Sequence, residues 1–187
     1  MNEPTNNLQH DNRNRAGKNA PSKRRALATA LLACTALLAA APAEADENWT
    51  GANGTNWFDP GNWSTGVPGS SDTVFINPAG AARPVILSGG PAQPIAHMYV
   101  GFINNGDLTI RDGAILTNSG NGGVGYPGTD GIVTVTGQGS QWTTLGGVLV
   151  GAQGNGVLRI LNGAKGSANY VIVGMVASST LGEVLVD

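Results

Sequence analysis

From Thr73 onward the chain alternates short β-branched runs with clusters of Gly, Asn and Asp, and no stretch carries a helical period. The segments Gly106-Asp-Leu-Thr-Ile110, Gly131-Ile-Val-Thr-Val135, Gly156-Val-Leu-Arg-Ile160 and Gly182-Glu-Val-Leu-Val186 follow one another at a near-constant interval. In each, the third and fifth positions are aliphatic. This predicts one column of Leu108, Val133, Leu158 and Val184 and a second of Ile110, Val135, Ile160 and Val186. Period-two alternation sends both columns to one side of a strand and Thr109, Thr134 and Arg159 to the other.

A second motif runs out of phase with the first. Tyr99-Val100-Gly101, Gly123-Val124-Gly125, Leu149-Val150-Gly151 and Ile172-Val173-Gly174 recur at nearly the same interval, with small variations that a solenoid absorbs in its turns. A unit of this length cannot bury its own apolar side, but stacked on copies of itself it can. The expected fold class is therefore all-β, a parallel β-helix (solenoid) of about five coils, each adding roughly 4.8 Å along the axis. Glycine is expected at its corners, where φ is positive.

The front of the chain reads differently. Residues 1–25 are polar and basic without periodicity, an expected disordered leader, and residues 26–45 read as a signal peptide. Ala41-Pro42-Ala43 and Ala43-Glu44-Ala45 have the small-x-small form that a signal peptidase needs, so Ala43 and Ala45 are the expected recognition residues, with cleavage after Ala45. Residues 46–66 form a Trp-rich N-terminal cap, marked by Asn48-Trp49, Asn56-Trp57 and Asn62-Trp63, and residues 67–187 hold the repeats.

Charge becomes informative once the leader is set aside. Only Arg83, Arg111, Arg159 and Lys165 then face nine acidic residues, a net charge of -5, which does not suit a phosphate backbone, so no nucleic-acid partner is expected. Cys34, the one cysteine, lies in the signal segment, so neither disulfides nor thiolate metal sites are expected in the exported part.

Candidate chemistry is sparse. Gly120-Asn-Gly122-Gly-Val-Gly125 satisfies a dinucleotide fingerprint by count, but Pro127-Gly128 follows where a helix would have to open, so turn glycines are the better reading. The same segment begins like a calcium-binding nonapeptide, yet Pro127 stands in the place of the ligand Asp. His97 has no cysteine or carboxylate pair beside it and reads as a strand-edge or turn residue. Asp107, Asp112 and Asp130 could be imagined as glycosidase carboxylates, but Asp107 and Asp130 adjoin corner glycines, where turn chemistry is expected. Trp49, Trp57 and Trp63 either stack on sugar rings or seal the first coil, and the cap is the preferred reading. Asn48, Asn53 and Asn62 open formal glycosylation sequons, to which little weight is given. No catalytic, cofactor-binding or metal-ligating residue is expected.

Val124-Gly125, the run Gly131-Ile-Val-Thr-Val135 and Gly137-Gln-Gly-Ser-Gln-Trp142, together with Trp57-Phe-Asp-Pro-Gly-Asn-Trp63 and Asp72-Thr-Val-Phe-Ile76, resemble the passenger domains of bacterial autotransporters over residues 46–187. That resemblance implies a right-handed parallel β-helix carried to the cell surface by a C-terminal outer-membrane barrel. The sequence departs from the pattern by stopping at Asp187 inside a repeat and before any barrel, so a passenger fragment or an interrupted reading frame is expected. Three functions follow as expectations. The first is a non-enzymatic exported module that is adhesive or structural, partnered by a host-cell or cell-surface glycan or protein. A carbohydrate-binding module or a carbohydrate-active β-helix enzyme is the second, and a truncated remnant without function the third.

Overall fold

The computed structural model describes residues 45–78, 85–175 and 181–187. The expected leader, the signal segment through Glu44, Cys34 and Ala43 lie outside the described residues.

Strands of three to ten residues pair in parallel throughout, as the repeat arithmetic requires. One sheet of five strands contains β3 (Val85–Ser88), β6 (Gly106–Arg111), β9 (Asp130–Thr136), β11 (Asn155–Leu161) and β13 (Gly182–Val186), stacked in chain order. The other sheet has eight strands and bends into two halves. Its first half holds β4 (Gln93–Ile95), β7 (Ile115–Asn118) and the leading parts of β10 (Gln141–Val150) and β12 (Lys165–Val173). The second half holds β1 (Asp46–Asn48), β2 (Thr73–Ile76), β5 (His97–Val100), β8 (Gly122–Val124) and the trailing parts of β10 and β12. A register shift between Thr144 and Gly147 makes the bend within β10. The molecule is thus a parallel β-solenoid of about five turns with three strand segments per turn.

The expected columns exist in register. Leu108 pairs with Val133, Val133 with Leu158 and Leu158 with Val184, while Ile110, Val135, Ile160 and Val186 form the parallel column. Val85 and Leu87 extend the two columns upstream by one coil. Leu108, Ile110, Val133 and Val135 are wholly buried, each stabilising the fold by roughly 1.5–3 kcal/mol relative to exposure. Val184 and Val186 of the last described coil are exposed, because no further described coil stacks on them.

Two kinds of corner turn the chain. At the first, Gly101, Gly125, Gly151 and Gly174 adopt φ of +72°, +76°, +67° and +68°, and their N–H groups donate to carbonyls of the preceding coil. A Cβ on Gly125 would lie 2.2 Å from the Asn155 carbonyl oxygen, so glycine is required there by both dihedral and space. At the second, Asp112-Gly113 and Asn162-Gly163 place two successive residues at positive φ. Such Asp-Gly and Asn-Gly pairs ordinarily signal a hairpin. Here they join strands of different sheets, since each strand's partner comes from the next coil.

The residue ahead of each repeat glycine forms a ladder. The Asn105 side-chain oxygen accepts from Asp130 N–H at 2.8 Å, and the Asn155 NH2 donates to Asp130 Oδ1 at 2.8 Å. Asn155 Oδ1 in turn accepts from Leu181 N–H at 3.0 Å. Asp130 is therefore held between coils, and the expected local turn role is replaced by a role along the axis.

Candidate functional site

The tryptophans lie inside the molecule. Trp49, Trp57 and Trp63 are 3%, 0% and 4% exposed, and Trp63 packs edge-to-face on the other two at 5.0 and 4.8 Å. The Trp63 indole N–H donates to the Trp57 carbonyl at 2.7 Å. Glu47, also buried, accepts from Ser64 Oγ, Thr65 N–H and Thr65 Oγ1, which ties β1 to the turn after Trp63. Asn62 of the third sequon is fully buried; its side chain accepts from Asn53 N–H and donates to the Asn56 carbonyl. Rings packed in this way offer no face to a sugar, and the cap reading accounts for them. Sugar stacking on Trp49, Trp57 and Trp63 is therefore corrected.

The outward side chains distinguish the three faces. The five-stranded sheet presents two mixed columns, Asp107, Ile132, Val157 and Glu183 in one and Thr109, Thr134, Arg159 and Leu185 in the other. The first half of the larger sheet presents Thr117, Gln141, Thr143, Lys165 and Ser167. On the second half, from β2 to β12, the outward column runs Phe75, Tyr99, Gly123, Leu149 and Ile172, with His97, Asn121, Gly147 and Tyr170 beside it. From β2 to β12 neither column contains Asp, Glu, Lys or Arg, and exposed Asp46 of β1, paired with Thr73, stands at the end of the second. Phe102 and Tyr126, each just past a corner glycine, close over its margin, and neighbouring Ile103 is 70% exposed.

These rings form one cluster. Phe75 stacks on Tyr99 at 5.4 Å, and Phe102 contacts Phe75, Tyr99 and Tyr126 at 5.3, 5.6 and 4.8 Å. His97 is parallel to Tyr99 within 4° at 6.4 Å. Glycines make room for them. A Cβ on Gly120 would lie 2.2 Å from the His97 ring, one on Gly123 would lie 2.5 Å from Tyr126 and 2.9 Å from Tyr99, and one on Gly147 would lie 2.1 Å from Tyr170. Each of these rings leans across bare backbone, and Phe75, Tyr99 and Tyr126 are half-buried. Burial pushes the Tyr126 hydroxyl up to about 12, with the neighbouring Tyr99 adding to the shift.

His97 Nδ1 accepts from Asn121 N–H at 3.0 Å, which places the neutral ring's proton on Nε2 as a donor. Asn121 Oδ1 accepts from Gly147 N–H at 3.0 Å. His97 is thus the first residue of β5, a strand paired on both sides, and it is joined to the next coil.

The acidic residues are engaged singly. Asp112 accepts from Ser88 Oγ at 2.6 Å and pairs with Arg111 Nε at 3.4 Å, while Asp130 belongs to the ladder. Burial raises the Asp107 carboxyl, an effect opposed by Arg159. Of the dinucleotide-like glycines, Gly122 and Gly123 are residues of β8, so the turn reading holds for Gly120, in the bend between β7 and β8, and for Gly125, a corner. Gly122 lies over the buried Trp142, whose indole N–H donates to Asn118 Oδ1 at 3.1 Å. Ala45, the described member of the cleavage pair, is exposed immediately before β1, and its carbonyl accepts from Thr73 N–H at 2.9 Å.

Sequence reading missed the aromatic face because its residues come from separate repeats: Phe75 from one, Tyr99 and Phe102 from the next, Tyr126 from a third. The signal was present in the second motif, whose first position reads Tyr, Gly, Leu and Ile where an outward strand position is ordinarily polar. No protein-family model matches this chain, and no curated protein or solved structure is significantly similar to it.

Proposed function

We propose that this chain is an exported, non-enzymatic surface module of the autotransporter-passenger kind, and that it adheres through the aromatic outer face of its solenoid. The observation that carries the reading is the ring cluster of Phe75, Tyr99, Phe102 and Tyr126 on one face, where the other two faces carry single aliphatic residues among Thr, Ser, Asp, Arg and Lys. Half-buried rings on an outward face, continued by exposed Phe102 and Ile103, form the kind of apolar surface that marks interaction sites. Export rests on the basic flank, the apolar run and the small residues at Ala43 and Ala45. Cleavage after Ala45 leaves Asp46, the first residue of β1, at the new N-terminus.

Two measurements test the proposal. N-terminal sequencing of the chain recovered from a Gram-negative periplasm should begin at Asp46, and retention of the leader would overturn export. Beads coated with the exported chain should adhere to cell surfaces. Beads carrying Tyr99→Thr, Phe102→Asn and Tyr126→Ser together should not. Equal adhesion by both would remove the aromatic face from the function.

A further inference from the structure

We infer that the aromatic face is a binding site for an uncharged polysaccharide laid along the solenoid axis, an inference that rests on the adhesive reading above and names its ligand class. The two outward columns from β2 to β12 hold no Asp, Glu, Lys or Arg, so a charged ligand would lose hydration there without gaining a partner. The exported part is moreover net acidic by -5, which opposes approach of acidic glycans and nucleic acids.

The geometry fits a chain of sugar rings rather than one compact ligand. Rings follow one another over three coils, with Phe75 and Tyr99 stacked 5.4 Å apart and Tyr126 edge-on to Tyr99 at 5.6 Å. His97, Tyr99, Tyr126 and Tyr170 lean over Gly120, Gly123 and Gly147, and Phe102 and Tyr170, 37% and 50% exposed, offer apolar ring surface to the C–H faces of pyranose rings. Hydrogen-bonding groups stand among the rings: the His97 Nε2–H, the Tyr99 and Tyr126 hydroxyls and the Asn121 amide. The Tyr126 hydroxyl, held protonated to about 12, is a donor at any physiological pH. Flat apolar surface interleaved with neutral donors and acceptors is what uncharged sugar hydroxyls and C–H faces require.

Affinity electrophoresis of the exported chain in gels containing a neutral β-glucan, a galactomannan or an amylose tests the inference, with polygalacturonate and alginate as acidic probes. At least one neutral polysaccharide should retard the chain, and Tyr99→Thr, Phe102→Asn, Tyr126→Ser should weaken that retardation at least tenfold. Thr143→Ala, on a polar face, should leave it unchanged. If the triple variant unfolds by circular dichroism, Phe102→Asn alone serves, since Phe102 is already exposed at the margin of the face. Retardation by acidic probes alone, by none, or equally in wild type and variant overturns the inference. Periodate or protease treatment of the target cells in the bead assay separates the two readings. Adhesion abolished by protease but not periodate removes the polysaccharide and keeps the surface module, whereas retardation without adhesion keeps the site and removes the adhesive role.

Discussion

The two halves of the eight-stranded sheet share one core and one backbone pattern, yet their outer surfaces differ. On the first half Thr117, Thr143 and Ser167 stand in one outward column. On the second half the equivalent column is Phe75, Tyr99, Gly123, Leu149 and Ile172. Both satisfy the same inward demand, met by Leu116, Trp142 and Ala168 on one side and by Val100, Val124 and Val150 on the other. Folding constrains the inward positions most, and on the reading proposed above the apolar outward column makes the second half the working surface.

The largest effect should fall on what the halves share. Gly125→Ala would put a Cβ 2.2 Å from the Asn155 carbonyl at φ +76°, and Leu108→Ala would empty a fully buried site. Leu108→Ala should destabilise by about 2–5 kcal/mol in denaturant titration, and both outer faces should be lost in a single transition. Separate transitions would refute a common core.

An intermediate effect should distinguish the halves. Gly123→Ala must displace Tyr99 and Tyr126, and an expected loss of roughly 1–3 kcal/mol, with altered tyrosine near-ultraviolet circular dichroism, follows from overpacking. Thr143→Ala on the polar half should stay within about 0.5 kcal/mol of wild type. Equal responses would erase the contrast between the halves.

Titration sets the aromatic face apart in a second way. Because the folded Tyr126 hydroxyl is pushed up to about 12, the unfolded chain ionises first, so its contribution to stability is complete below the ordinary value and is lost as pH rises from about 10 to about 12. Absorbance at alkaline pH should show one late tyrosine that moves earlier in Phe102→Ala. The smallest effect belongs to Asp107 on the five-stranded sheet, whose carboxyl burial raises. Its protonated form is favoured by folding, so stability falls as pH climbs above the ordinary carboxylate range, and Asp107→Asn should be slightly stabilising at neutral pH and without effect in acid. A destabilised Asn variant at neutral pH would mean that Arg159 outweighs burial.

Much of the fold was legible. The recurrence of Gly106, Gly131 and Gly156 placed Leu108, Val133 and Leu158 in one buried column, because a parallel stack cannot tolerate a register slip without turning its aliphatic residues to water. The corner glycines were legible for the same reason, since Gly101, Gly125 and Gly151 stand at a fixed offset from the inward valines. The Asn105–Asp130–Asn155 ladder was not, because Asp beside Gly also fits a local turn. For the three tryptophans, composition left sugar binding and capping both open, and packing at 4.8 to 5.0 Å decided for the cap.

Alternation and chain connectivity, both readable along the chain, establish the period, the parallel stacking and the side of each strand that faces inward. Which outward residues meet is a matter of three dimensions alone. Phe75, Tyr99 and Tyr126 belong to three successive coils and are remote along the chain, and they become neighbours because each coil returns the backbone to within one strand spacing of the last.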